Sequence, residues 1–184
     1  VTRSCHGSFC YDILNSTFVA NHPIPENGAI FAEDNVWVEG TVNGRVTVGA
    51  GRFPVLPSTY RDIIISGNLM YAETASDDVI GLNAQRDIVV PRDVPDDMTI
   101  HAAALAQFGR IYHPPYGGLK SSLTFFGSQI GYNSGGWKYV TGRGVVVSGF
   151  INTNHIYDGN LRYYPPPGFP VGNVYDVLSW EEVE

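Results

Sequence analysis

The sequence predicts an all-β fold: a β-solenoid or β-helix-like stack of short strands with capping segments at both ends, a β-sandwich being the alternative. Three observations carry that expectation. Short runs rich in Val, Ile, Thr and Phe alternate with turn residues along most of the chain, as half-buried strands do. Helical periodicity is nearly absent. One template, apolar-x-apolar-x-Gly-x-apolar, recurs at Val36-Val38-Gly40-Val42, Ile63-Ile65-Gly67-Leu69 and Val145-Val147-Gly149-Ile151. Leu123-Phe125-Gly127 fits until Ile130 falls one place late, and Met98-Ile100 fits with Ala102 in place of glycine.

Template starts fall at 36, 63, 98, 123 and 145, in steps of 27, 35, 25 and 22 residues. A period of about 20–50 residues marks solenoids and propellers. A propeller blade needs four strands in roughly 40 or more residues, and a sandwich gives hairpins about every 8–12 residues. In a stacked coil the two alternate apolar residues point inward, and the glycine turns the corner without a Cβ clash.

Residues 1–27 read as a leader or cap with few strand signals, closed by the prolines of "NHPIPENG". Within it, "CHGSFC" holds both cysteines. A small Cys5–Cys10 disulfide loop is the first reading and implies an oxidising, extracytoplasmic compartment. Two free thiols, or a metal site using His6, are the others, although a structural zinc site takes four ligands. "NST" at Asn15 fits a glycosylation sequon.

The solenoid is expected over 28–160, with strands at 28–32, 36–42, 45–50, 62–72, 79–85, 87–91, 98–108, 122–130 and 144–151. Turn chemistry separates them in "VNG", "ISGN", "SDD" and "PRDVPDD". Segment 98–108 holds helix-favouring Ala and Leu. Strict alternation of Ile100, Ala102, Ala104 and Ala106 makes it a strand in a narrow interior instead. Residues 161–184 form a C-terminal cap rich in Pro and aromatics. In it Pro165–Pro167 make a stiff extended element, and Tyr175, Val177 and Trp180 pack down. Caps are needed because open end coils expose unpaired strand edges.

At 184 residues, with 43% hydrophobic and 16% charged content, 21 Gly and 12 Pro, the chain reads as one folded, turn-rich domain. A net charge of −7 and a pI near 5.1 oppose wholesale electrostatic binding of nucleic acid. The charge is uneven, however. No acid lies between Asp97 and Asp158, where Arg110, Lys120, Lys138 and Arg143 give +4, so the remainder carries −11 of the total −7. No apolar run approaches the ~18–20 residues that span a bilayer, and the N-terminus lacks signal-peptide form. A membrane anchor is therefore expected only in a segment outside this chain.

Enzymatic chemistry is not expected, and neither is a metal or a cofactor. Asp77 and Asp78, then Asp93, Asp96 and Asp97, sit in turn-like segments rather than as a facing pair about 5–9.5 Å apart. There is no Gly-x-Ser-x-Gly elbow. His6, His22, His101, His113 and His155 show no metal-type pair, and His101 is expected to point outward. Calcium is a lesser reading for "ASDDVIG" and "PRDVPDD", which lack the EF-hand ligand series. For polyanion binding, the acid-free stretch interleaves rings and cations: Arg110, Tyr112, Tyr116, Lys120, Tyr132, Trp137, Lys138, Tyr139 and Arg143. The same rings also suit shielding of coil edges or a sugar platform.

"GAIFAEDNVWVEGTVNGRVTV", "DIIISGNLMYA", "VIGLNAQRDIVVP", "TIHAAALAQFG", "LTFFGSQIG" and "YDGNLRYYPPPGFP" together resemble the β-solenoid domain of bacterial type IV pilin-like envelope proteins, similar to the large minor pilins of natural transformation (ComZ type). The similarity runs from about Gly28 to Trp180. It implies an extracytoplasmic solenoid at the cell surface or pilus, with other pilin or envelope subunits as partners. It implies contact with DNA during uptake or with a surface during adhesion, and it brings no catalytic signature. Two other readings are a structural or protein-interacting spacer and a degenerate carbohydrate-active solenoid.

Overall fold

The computed structural model describes residues 2–6, 9–115 and 118–170. Tyr116, Tyr175, Val177 and Trp180 lie outside the described residues, as does most of the expected 161–184 cap. The fold is all-β. An antiparallel pair, β1 (Thr2–His6) and β2 (Phe9–Asn15), precedes an eleven-stranded sheet. That sheet comprises β3 (Ala29–Ala32), β4 (Val36–Val42), β5 (Arg45–Ala50), β6 (Ile63–Tyr71), β7 (Val79–Ala84) and β8 (Ile88–Val89). It continues with β9 (Asp97–Ala106), β10 (Ile111–Tyr112), β11 (Gly118–Gly131), β12 (Lys138–Val140) and β13 (Val146–Ile156).

Within this sheet every pairing is parallel except β12 with β13. The pairs form three ladders. The first stacks Val36, Ile63, Ile88 and Ile111. A second stacks Gly40, Leu69, Ile100, Phe125 and His155. The third stacks Ala29, Thr47, Gly81, Ala103 and Ser128. The chain visits the ladders in a fixed cyclic order and returns to each after 18 to 34 residues. Parallel pairing on this scale replaces the antiparallel hairpins of the β-sandwich alternative.

Side chains facing inward along these ladders make the core. Ile63, Ile65, Leu82, Ile88, Ile100, Leu123 and Phe125 are all buried, as are Ala102, Ala104 and Ala106. The alternating alanines occupy the narrow interior that their small size predicts.

The template is only partly the structural repeat. The step from 98 to 123 is right throughout, with Met98 on Leu123, Ile100 on Phe125 and Ala102 on Gly127. At Gly127 φ is +140°, and an added Cβ would run into the Ala102 carbonyl, so only glycine fits there. From 36 to 63 the apolar pair stacks, but a register shift then puts Gly40 on Leu69 instead of Gly67. The expected step from 63 to 98 fails: Ile63 stacks on Ile88, and Leu69 meets Ile100. The step from 123 to 145 fails too, because Leu123 stacks on Thr153 and Gly149 on Leu119. The unread copies are Asp87-Ile88-Val89-Val90 and the short β10.

Polar side chains tie each rung to the next. Asn35 Oδ1 accepts the Asp62 N–H at 3.0 Å, Asp62 Oδ1 the Asp87 N–H at 3.1 Å, and Asp87 Oδ1 the Arg110 N–H at 2.9 Å. These bonds satisfy backbone donors beside the starts of β6, β8 and β10. Asp62, fully buried, also takes both Nε and Nη2 of Arg86. Asn68 accepts from Thr99 N–H at 2.8 Å, and Gln85 both accepts from and donates to the Arg52 backbone.

The described parts of both terminal segments, 9–27 and 157–170, make contacts with the strands of the sheet. The leader is strand-rich, with β1 and β2, and its docking contacts span several rungs. Trp37 Nε1 donates to the Tyr11 carbonyl, and Asp12 accepts from Asp93 N–H at 2.9 Å. Ile24 lines an apolar cavity of about 340 Å³ together with Val38, Val48 and Leu82. Beyond β13 the chain folds back. Arg45 Nη2 donates to the Pro165 carbonyl at 2.7 Å, and Pro166 and Pro167 lie on Gly81 and Gly28, where a Cβ would leave no room. Rings without N–H groups suit a strap that crosses the sheet without joining it.

Replacing Asp62 with Ala orphans the Asp87 N–H and the partly exposed Arg86 guanidinium. Urea unfolding is expected to show a loss of about 2–4 kcal/mol. Asp62→Asn, which keeps an acceptor oxygen, is expected to lose less. Equal losses in the two variants would contradict the ladder.

Candidate functional site

Of the nine predicted site residues, Tyr116 lies outside the described residues, and the other eight fall into three groups. Arg110, Tyr132, Lys138 and Arg143 are exposed. Tyr139 is half-buried, and burial raises its phenol pKa, with Arg110 acting against the shift. Tyr112 and Trp137 are buried, so neither offers a free face for stacking. Trp137 belongs to the core, 6.2 Å from the Phe125 ring, and its carbonyl accepts the Phe150 N–H at 2.9 Å. Tyr112 is covered by the Arg110 guanidinium at 4.1 Å. Lys120 is committed as well: its Nζ donates to the Val94 carbonyl at 2.7 Å and pairs with Asp96 at 3.1 Å.

The exposed group comes from three loops and the start of one strand. Arg110 precedes β10, Tyr132 follows β11, and Lys138 opens β12, donating from Nζ to the Ile151 carbonyl at 3.2 Å. Arg143 sits in the turn closed by Thr141, whose carbonyl accepts the Gly144 N–H at 2.9 Å. Asp87 accepts the Arg110 N–H; burial raises its pKa, while Arg86 and Arg110 counter the shift.

Sequence reasoning missed a pair beside this group. The inward column Leu69, Ile100, Phe125 ends on His155, and the column Val48, Leu82, Ala104 ends on Gln129. Gln129 Nε2 and His155 Nδ1 are 2.9 Å apart, and the imidazole lies nearly parallel to the Phe125 ring. Two adjoining cavities of about 340 and 250 Å³ share these two side chains. The signal was the polar run Asn152-Thr153-Asn154-His155 inside a strand.

The other candidates resolve into structural roles. His101 is half-buried rather than a free surface histidine: its Nδ1 accepts the Tyr71 N–H at 3.1 Å, and it packs edge-on against Tyr71 and Phe126. In the Asp-rich segments considered for calcium, Asp78 accepts from Gly44 and Glu73 N–H groups and Asp97 from the Ser122 hydroxyl. Among the described residues no three His, Cys, Asp or Glu side chains group as a metal site. Cys10 is disulfide-bonded. The side chains of Cys5 and His6 lie outside the described residues. Comparison of the chain with protein-family models, curated proteins and solved structures finds no match.

His113, buried against Phe150 with Nδ1 at 2.9 Å from the Val90 carbonyl, sits below this surface. Burial lowers its pKa from the usual 6.5; Lys120 acts the same way, and the Val90 carbonyl and Asp12 oppose. His101 is lowered by burial too, with Asp158 opposing. As pH falls below about 6.5 the unfolded chain therefore takes up protons before the folded one. Stability from the neutral rings is complete above that pH and is lost as pH drops toward the folded-state values. The urea midpoint is expected to be lower at pH 5 than at pH 7.5, and His113→Gln to flatten that difference. An unchanged slope in the variant would refute the assignment.

Proposed function

We propose that this chain is a non-enzymatic display domain of an extracytoplasmic, pilin-like protein at the bacterial surface, a β-solenoid that presents its last rungs to DNA. The observation that carries the reading is that Arg110, Tyr132, Lys138 and Arg143 are all exposed in the segments between β9 and β13, within a stretch lacking Asp and Glu. Cations of this kind follow phosphates, and an exposed ring stacks a base for about 1–3 kcal/mol. Three exposed cations make a weak site, suited to holding a strand at a surface rather than to tight sequence reading.

Two further features support display. Asp62 and Asp78 are buried as acceptors for backbone N–H groups, so they serve the stack. The disulfide at Cys10 suits an oxidising compartment. Other pilin or envelope subunits are the partners this reading implies.

Retention on immobilised DNA is expected at low ionic strength, with a log–log salt slope of about −2 to −3 for three phosphate contacts. Changing Lys138 and Arg143 together to Ala is expected to cut the slope to about −1 and to abolish retention near 0.15 M salt. Identical behaviour of the variant and the parent would leave the structural-spacer reading in its place.

A further inference from the structure

We infer that the groove around Gln129 and His155 takes an unstacked nucleobase, so that the ligand is single-stranded DNA rather than duplex; this rests on the DNA reading above. Two apolar columns of the core end at the same level on polar side chains, Gln129 and His155, and these bond to each other. That bond engages Nε2 of Gln129 and Nδ1 of His155. With Nδ1 accepting, the neutral imidazole carries its proton on Nε2. No described hydrogen bond engages Oε1 of Gln129 or Nε2 of His155. The pair therefore offers an acceptor and a donor side by side, the complement of a base edge.

The surroundings suit a base attached to a phosphate chain. Trp137, Gly135 and Gly136 are among the residues lining the groove, and no lining side chain is a carboxylate. Tyr157, 65% exposed, lines the second cavity and presents a ring for stacking. Arg110 and Lys138 are sequence neighbours of the lining residues Ile111 and Trp137, with the Arg110 guanidinium over Tyr112 and Lys138 Nζ on the Ile151 carbonyl. A neutral saccharide would meet the same polar pair but gain nothing from those charges. A duplex keeps its base edges within the grooves and its ring faces stacked, whereas a single strand can splay a base onto aromatic side chains.

The test compares a 12-nucleotide single strand, the duplex of the same sequence and a neutral hexasaccharide, using parent, Gln129→Ala and Tyr157→Ala proteins. Binding is followed by fluorescence anisotropy and by the His155 ring signals in NMR. Circular dichroism checks that both variants fold. The expected result is at least tenfold preference for the single strand, perturbation of the His155 signals by it, and a roughly tenfold loss in each variant with duplex binding unchanged. Equal affinity for both DNAs, insensitive to both substitutions, overturns this inference and leaves the DNA reading standing. Absence of binding to either DNA overturns both. Movement of the His155 signals by the hexasaccharide and not by DNA also overturns it and reassigns the groove to sugars.

Discussion

Backbone donors beside strands that stack in parallel must be satisfied from the neighbouring rung, and the rest of the structure depends on that requirement. Where pairing lapses at a corner, an N–H has no strand partner, and burying it unpaired costs about 1–3 kcal/mol. Asn35, Asp62 and Asp87 meet the need at one corner, each reaching a donor on the following rung. The stacking offset there is 27, then 25, then 23 residues. It can vary because excess residues leave as loops while the corner itself is held. Carboxylates that would otherwise be surface charge become acceptors, and Arg86 offsets the charge of the one that is fully buried.

That use of acids shapes the surface as well as the interior. Asp62, Asp78 and Asp87 are among the acceptors of the earlier rungs, and no Asp or Glu lies between Asp97 and Asp158. The cations of the last loops thus stand beside few carboxylates in a chain whose net charge is −7. The core changes character along its axis in the same direction, from isoleucine and leucine columns to the Gln129–His155 pair. An array of repeats needs a polar outer face at its terminus. Among the described residues, β13 carries the polar run Asn152–His155, and His155 bonds Gln129 and lies beside the Phe125 ring.

The strand class, most strand positions and the alternating alanines were legible because β-branched runs and period-two burial are local properties. Register was not. Gly40 and Gly67 look equivalent in sequence, but the irregularity between Val38 and Gly40 separates them, and no local signal marks it. The better key was an Asx residue followed by an apolar run, at Asn35, Asp62 and Asp87; glycine drew attention away from it. At the candidate surface, Tyr112 and Trp137 read as stacking rings because ring-plus-cation spacing does not reveal burial. Lys120 was grouped with the site cations because its partner Asp96 lies 24 residues away in sequence. His155 and Gln129 escaped notice because their significance lies in which columns they end.

The return of Pro165–Pro167 to Arg45, Gly28 and Gly81 has a mechanical consequence. In an open array, each unit touches only its neighbours, and the outermost can peel away one at a time. A segment that leaves the last strand and is anchored on the first closes that array into a loop, with the stiffness of consecutive prolines as its tension member. Peeling β13 outward would pull on a tether fixed at the opposite end, so loss of the terminal strand is resisted by contacts made near the chain's beginning. A molecule built in that way is suited to bearing load along its axis, and it yields as a whole rather than strand by strand.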